Sequence, residues 1–145
     1  MRRNLQLILA AVGATCAVIA LVHIIVGPSS IPGSIAVNAT MDSEDRFYAT
    51  MFLAFGAALL WCVPGVERKS TIVYVLMLTF FLGGLARVMS IVAVGLPNAL
   101  FTFLTFVELL LPLIIVYMQM RVARAADLAG KAAVTNAVAE SARQQ

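Results

Sequence analysis

The chain has 145 residues, of which 62% are hydrophobic and 12% charged, with a formal net charge of +3. Soluble domains carry about a quarter charged residues, so this balance excludes an ordinary soluble domain and indicates an integral membrane protein. A nucleic-acid partner would need a basic surface with base-stacking aromatics outside the membrane, and the sequence offers none.

Four apolar stretches of spanning length follow one another, at residues 5–26, 47–64, 71–95 and 99–120. A helix needs about 20 such residues to cross about 30 Å of hydrocarbon, so each qualifies, the second being the shortest. No period-2 alternation runs through them, which argues against a β-barrel. In lipid the backbone must satisfy its own hydrogen bonds, and helices remain. The expected fold class is therefore all-α: an integral membrane, antiparallel four-helix bundle over residues 1–120, followed by a cytoplasmic alanine-rich tail at 121–145.

Arg2 and Arg3 precede the first stretch, as in a signal peptide. Its apolar core exceeds the usual 7–15 or so residues, and it reads as a retained signal anchor. Gly13/Ala17 and Ala10/Ala14 are small-xxx-small pairs that allow close helix approach, although Ala and Gly are common in spanning helices anyway. Cys16 lies mid-helix and Cys62 near the inner end of the second stretch. Their depths differ by about 14 Å at 1.5 Å per residue, too far for a disulfide, so both read as small core hydrophobes.

The segment GPSSIPGSIAVNATMDSED, residues 27–45, is the one long external link. Gly27-Pro28 ends the first helix and Pro32-Gly33 makes a further turn. SIAVNATM is apolar enough to lie on the membrane face or over the helix ends. Asn38 and Thr40 match a glycosylation acceptor, a pattern common by chance. The second helix is expected to open at DSEDRFYA with Ser43 or Asp42 as its cap. Glu44 and Asp45 then favour the positive end of the helix dipole, and Arg46 can pair with these acids locally. Phe47, Tyr48 and Trp61 fit interfacial aromatic belts. Pro64-Gly65 breaks this helix.

The third helix runs to Gly95, where GLPNA turns the chain. So short a link makes the third and fourth helices neighbours. The fourth is expected to end near Met120. The tail carries Asp127 and Lys131 at i,i+4 and a weak stripe of Val122, Ala125, Leu128, Ala129, Ala132 and Ala133. It can be read as helical or as disordered.

Eight basic residues (Arg2, Arg3, Arg68, Lys69, Arg121, Arg124, Lys131 and Arg143) fall on one side of four crossings. The opposite side holds Arg46 beside Asp42, Glu44 and Asp45. The bias toward positive residues inside then places both termini in the cytoplasm.

Two charges interrupt the apolar runs. Arg87 sits in GGLARVMS and Glu108 in FVELLLP. At 1.5 Å per residue, Arg87 lies about 12 Å below Gly95 and Glu108 about 15 Å below Asn98. The shared turn forces their helices together, so an Arg87–Glu108 ion pair is expected in the outer half of the bundle. An unpaired charge at mid-helix costs about 2.5–3.5 kcal/mol on insertion scales, and a mutual pair is easier to hold than two separate charges. Gly83, Arg87, Ser90 and Val94 are expected on one face of the third helix, and Thr105, Glu108 and Pro112 on one face of the fourth. Pro112 removes the normal amide donor to the Glu108 carbonyl. His23, Arg46, Tyr48 and Ser90 also lie in or near this outer half, and a loose convergence of His23, Arg46, Arg87, Ser90 and Glu108 is expected. The group reads either as an ion pair that fixes helix register or as a pocket for a polar head group or a transferred proton.

No phosphate loop, nucleophile elbow or metal-ligand spacing is present. No catalytic residue, metal or cofactor is therefore assigned, although Glu108 with His23 could do acid–base chemistry.

The segments EDRFYATMFLAFG, GGLARVMSI and VELLLP together resemble a bacterial four-helix family catalogued as a domain of unknown function. The resemblance covers residues 5–120 and leaves out the tail. It marks Arg46, Tyr48, Gly56, Gly84, Arg87 and Glu108 as signature positions and implies a fold rather than an activity. The alanine-rich tail is similar to actinobacterial usage, and small four-helix proteins of this kind are similar to accessory subunits of large membrane assemblies, including actinobacterial respiratory supercomplexes. The expected function is a non-catalytic accessory or assembly subunit of a larger complex in the bacterial cytoplasmic membrane, with other membrane subunits and the lipid bilayer as partners. The alternative is a binder or carrier of a lipid or small amphiphile in an outer-leaflet pocket. An enzyme acting on such a molecule is a third, weaker expectation.

Overall fold

A computed structural model describes residues 1–143. Four helices account for nearly all of them: α1 (Arg2–Val26), α2 (Ala39–Cys62), α3 (Ser70–Val94) and α4 (Ala99–Arg143). Single 3-10 turns at Pro28–Ser30 and Val66–Arg68 sit in two of the links, and no strand occurs among the described residues. Helices α1, α3 and α4 are long and apolar enough to cross a membrane. The second apolar stretch, now α2, is not among these three, because Asp42, Glu44, Asp45 and Arg46 fall inside the helix itself.

Helix α2 begins earlier than hydropathy indicates. Asn38, in extended backbone, accepts a hydrogen bond on its side chain from the Met41 amide at 3.0 Å. Asn38 is thus the cap, upstream of the expected Ser43 or Asp42. A carboxamide beside the first free amides satisfies a donor that the helix cannot.

The helices pack as two close pairs, α1 with α2 and α3 with α4, with much less contact between the pairs. Along the first pair, Arg2 meets Glu67, Gln6 donates to the Val63 carbonyl at 2.8 Å, and His23 meets Asp45. Low numbers on one side thus face high numbers on the other. Midway, the backbones touch. A Cβ on Gly13 would lie 2.9 Å from the Gly56 carbonyl oxygen, and one on Gly56 would lie 2.8 Å from that of Gly13. The small residues of α1 therefore do serve close approach, against a glycine that the family resemblance alone had marked. In the second pair the close approach is at Gly84, not Gly83: a Cβ on Gly84 would meet Leu109, whereas Gly83 faces open space. Ser90 and Val94, placed on that face by sequence, are exposed.

The core is concentrated at the end where α1 begins. Leu5, Leu9, Leu59, Cys62, Val66, Val73, Met77, Ile115 and Val122 form one buried cluster there. Cys16 and Cys62 are both buried and free. Phe55 and Phe80, with ring centroids 5.7 Å apart, join α2 to α3. The α2–α3 link turns at Gly65, whose φ of 70° lies in the left-handed region. It is then pinned from α4: the fully buried Gln119 donates to the Val66 carbonyl and to Ser70 Oγ, both at 2.8 Å. The Lys69 ammonium lies 3.8 Å from the Trp61 ring centroid, closing the same link from outside.

Helix α4 does not stop near Met120. It passes Pro112 and runs on to Arg143, and the Asp127–Lys131 pair forms on its surface at 2.9 Å.

Candidate functional site

At the end opposite the core, polar side chains replace apolar packing. They form two groups.

The first group joins the end of α1 to the start of α2. The last carbonyls of α1 have no partner within the helix. Arg46 supplies one from α2: Nη1 donates to the carbonyls of Ile24 and Ile25. The rest of its fork faces Asp42, with Nε to Oδ2 at 2.9 Å and Nη2 to Oδ1 at 3.2 Å. Asp42 thereby holds the guanidinium in place for capping α1, and a cation at a helix C-terminus is also favoured by the dipole. Gly27 makes this possible. Its φ is 78°, and a Cβ there would sit 2.7 Å from Arg46 Nη2 and 2.8 Å from Asp42 Oδ1. Beside them His23 Nδ1 and Asp45 Oδ1 are 3.2 Å apart, while Asp45 Oδ2 is buried without a hydrogen-bond partner among the described residues.

The second group lies between α3 and α4. Arg87 Nε donates to Glu108 Oε2 at 2.7 Å. The Glu108 side chain is 10% exposed and that of Arg87 38%. The pair anticipated from depth counting along the two helices is therefore formed, with the carboxylate inside and the guanidinium nearer the surface. The Phe101 ring centroid lies 5.5 Å from Arg87 Cζ, so the cation rests between a carboxylate and an aromatic face. Thr105 and Pro112 are buried on the Glu108 face of α4, as expected, but Thr105 Oγ1 donates back to the Phe101 carbonyl at 2.9 Å and leaves the ion pair alone.

The six residues singled out by sequence thus divide. Arg87 and Glu108 meet. His23 and Arg46 belong to the helix junction. No hydrogen bond or ion pair joins the two groups among the described residues. Glu108 and His23 are each engaged elsewhere, so the acid–base couple is not assembled. Tyr48 is exposed and packs edge to face on Phe47, with centroids 5.6 Å apart. Ser90 is exposed and its hydroxyl makes no hydrogen bond among the described residues. Sequence reasoning takes Asp42 as a candidate cap and Asp45 as a dipole-favoured acid that Arg46 can pair with locally; it misses the fork that Arg46 closes on Asp42 and the contact of Asp45 with His23. The i,i+4 spacing of Asp42 and Arg46 was the available signal. Among the described residues no group of three or more His, Cys, Asp or Glu side chains is placed to hold a metal ion.

The junction predicts a pH dependence. The Arg46 guanidinium, hydrogen-bonded to Asp42, holds the Asp42 carboxyl below the usual carboxylate range. A lowered native value means that the pairing contributes fully above the unfolded value and is lost as pH falls through the native one. Carboxyl-carbon NMR of the protein in micelles should give Asp42 a titration midpoint below that of an ordinary aspartate, and Arg46→Gln should raise it.

Neither the curated proteins nor the solved structures contain a match to this chain. The family described as a domain of unknown function, DUF4345, matches residues 4–119, which takes in all four helices up to the end of the membrane-length part of α4, and the chain belongs to that family.

Proposed function

We propose that the protein is an integral membrane protein of the bacterial cytoplasmic membrane, an antiparallel four-helix bundle with both termini in the cytoplasm, and that it serves as a non-catalytic accessory or assembly subunit of a larger complex. The apolar part of α2 then crosses with the other three helices, its charged first turns lying at the outer surface. The topology rests on the eight basic residues that fall on the side of the core end, Lys131 and Arg143 farther out along α4, against one arginine and three acids on the other side.

The observation that carries the subunit reading is the small share of α3 used inside the chain. Only 11% of its most apolar stretch is buried, and along the whole helix Val73, Met77 and Gly84 are the buried residues. The remaining circumference includes a continuous stripe of Val75, Leu78, Leu82, Leu85 and Met89, all exposed. A narrow inner seam and a broad apolar outer face suit a helix that packs laterally on other subunits. The full chain, purified in mild detergent from native membranes, should carry the same partner at constant stoichiometry. Leu82→Trp with Met89→Trp should abolish that association while leaving the monomer folded. A chain that runs alone in native-lipid nanodiscs, unchanged by the two substitutions, would overturn the reading.

The second reading, a lipid or amphiphile binder at the outer polar groups, is favoured by one feature. Arg87 uses Nε on Glu108, and its Nη groups make no hydrogen bond among the described residues, leaving a partly exposed cationic edge.

A further inference from the structure

The core end of the molecule carries a second polar feature that neither reading uses. An open cleft of about 780 Å³ lies between the start of α1, the α2–α3 link and the part of α4 just past its apolar run. Its polar lining is Arg2, Glu67, Arg121 and Arg124, and its apolar lining includes the buried Val122 and the exposed Leu128.

The charges do not balance. Glu67 is consumed by Arg2, with Nε to Oε2 at 3.0 Å and Nη2 to Oε1 at 3.2 Å. Arg121 donates to a neutral group, the Tyr117 hydroxyl, at 3.0 Å. Arg124 has no ion pair among the described residues, and the nearby Asp127 is taken by Lys131. Two guanidinium groups therefore face the cleft without an acidic partner. Guanidinium forks match the geometry of phosphate oxygens.

The depth of the cleft suits a lipid. Arg121 directly follows the apolar run that ends at Met120, so the arginines stand where hydrocarbon gives way to head groups. Basic pockets between helices on the cytoplasmic side suit anionic head groups. The apolar lining at Val122 and Leu128 would contact the glycerol and upper acyl carbons, which a free phosphate lacks.

We propose that this cleft binds the phosphate of an anionic phospholipid of the inner leaflet. The leaflet assignment rests on the topology proposed above; binding itself does not.

The test uses the full chain in detergent, with native mass spectrometry reading retained lipid. Phosphatidylglycerol should be retained over phosphatidylcholine. Arg121→Gln or Arg124→Gln should each weaken retention about fivefold. Glu67→Gln should strengthen it by releasing Arg2, a gain that a misfolded variant could not show. Arg143→Gln, far along α4, should change nothing. Glycerol phosphate in excess should fail to displace the lipid. Equal retention of the zwitterionic lipid, indifference to both arginine substitutions, or ready displacement by glycerol phosphate would each overturn the proposal. Topology is scored separately with an impermeant thiol reagent, which should reach Ser34→Cys but not Ser141→Cys in intact cells.

Discussion

Arg87→Met should destabilise the protein by about 2–3 kcal/mol, and Glu108→Leu by less, because the two ends of this pair are unequally buried. Removing the guanidinium strands a carboxylate that is 10% exposed, on the inner face of α4 between Thr105 and Pro112. Nothing else in contact donates to it through a hydrogen bond among the described residues. Removing the carboxylate strands a longer and more exposed side chain, which can swing its charge toward the surface and keep its stem on the apolar wall. The double variant should recover much of the loss, since an apolar pair of similar volume has no charge to leave uncompensated. The measurement is a double-mutant cycle from reversible unfolding in bicelles, with an interaction energy of about 1–3 kcal/mol expected for groups in contact. Additive losses would show that the 2.7 Å contact carries no coupling, and equal single losses would remove the argument from burial.

The outcome also bears on how this site is legible in sequence. The Arg87–Glu108 pair could be found by counting residues, because a four-residue link leaves α3 and α4 no choice of neighbour and 1.5 Å per residue converts position into depth. The number of helices was legible for a similar reason: a spanning run has a required length. Where length and depth say nothing, the reading was coarser. Hydropathy starts the apolar part of α2 at Phe47 and the acidic run offers Asp42 or Ser43 as its cap, but a helix starts where its amides find acceptors, and Asn38 provides one four residues before Asp42. Hydropathy likewise ends α4 near Met120, whereas a helix ends where its backbone loses its ladder, and the alanine-rich run 121–143 keeps it.

Arg46 illustrates a different limit. Its local pairing with Asp42 follows from i,i+4 spacing, but capping of the Ile24 and Ile25 carbonyls depends on the register of α2 against α1. The closest approach of the two helices lies far away, where Gly13 meets Gly56. Gln119 was overlooked altogether, since a lone amide near the end of an apolar run has no pattern. Its meaning is tertiary: it holds the α2–α3 link through Val66 and Ser70. Gly84 is marked by the family resemblance and not by the face drawn from spacing, and its place becomes clear only with the buried residues of α3. Val73, Met77 and Gly84 are spaced by four and seven, a helical seam, and Gly83 lies off it.

Glycine substitutions should separate these seams by what each added methyl group would strike. Apolar burial contributes little between helices surrounded by lipid, so close packing carries much of their association. At Gly56 a Cβ would sit 2.8 Å from the Gly13 carbonyl oxygen and 2.9 Å from the Ala17 amide nitrogen. Both obstacles are backbone atoms of α1, and neither can rotate away. Gly56→Ala should therefore force the helices apart and cost about 2–3 kcal/mol, the upper part of the overpacking range. It should also loosen the Arg46 cap and the His23–Asp45 contact, which depend on the same register. At Gly84 the nearest atom is Leu109 Cδ2 at 2.9 Å, the tip of a flexible side chain, with Glu108 Cβ next at 3.1 Å. Gly84→Ala should cost about 1 kcal/mol, and part of that cost should vanish in the Arg87→Met background, because the displaced Glu108 no longer has a partner to lose. Gly83→Ala meets nothing within 4 Å and should be neutral or stabilise slightly through better helix propensity. The order Gly56, Gly84, Gly83 is the prediction, read from unfolding midpoints in one detergent system. If Gly56→Ala proved as harmless as Gly83→Ala, the contact of α1 and α2 backbones could not be what sets their register.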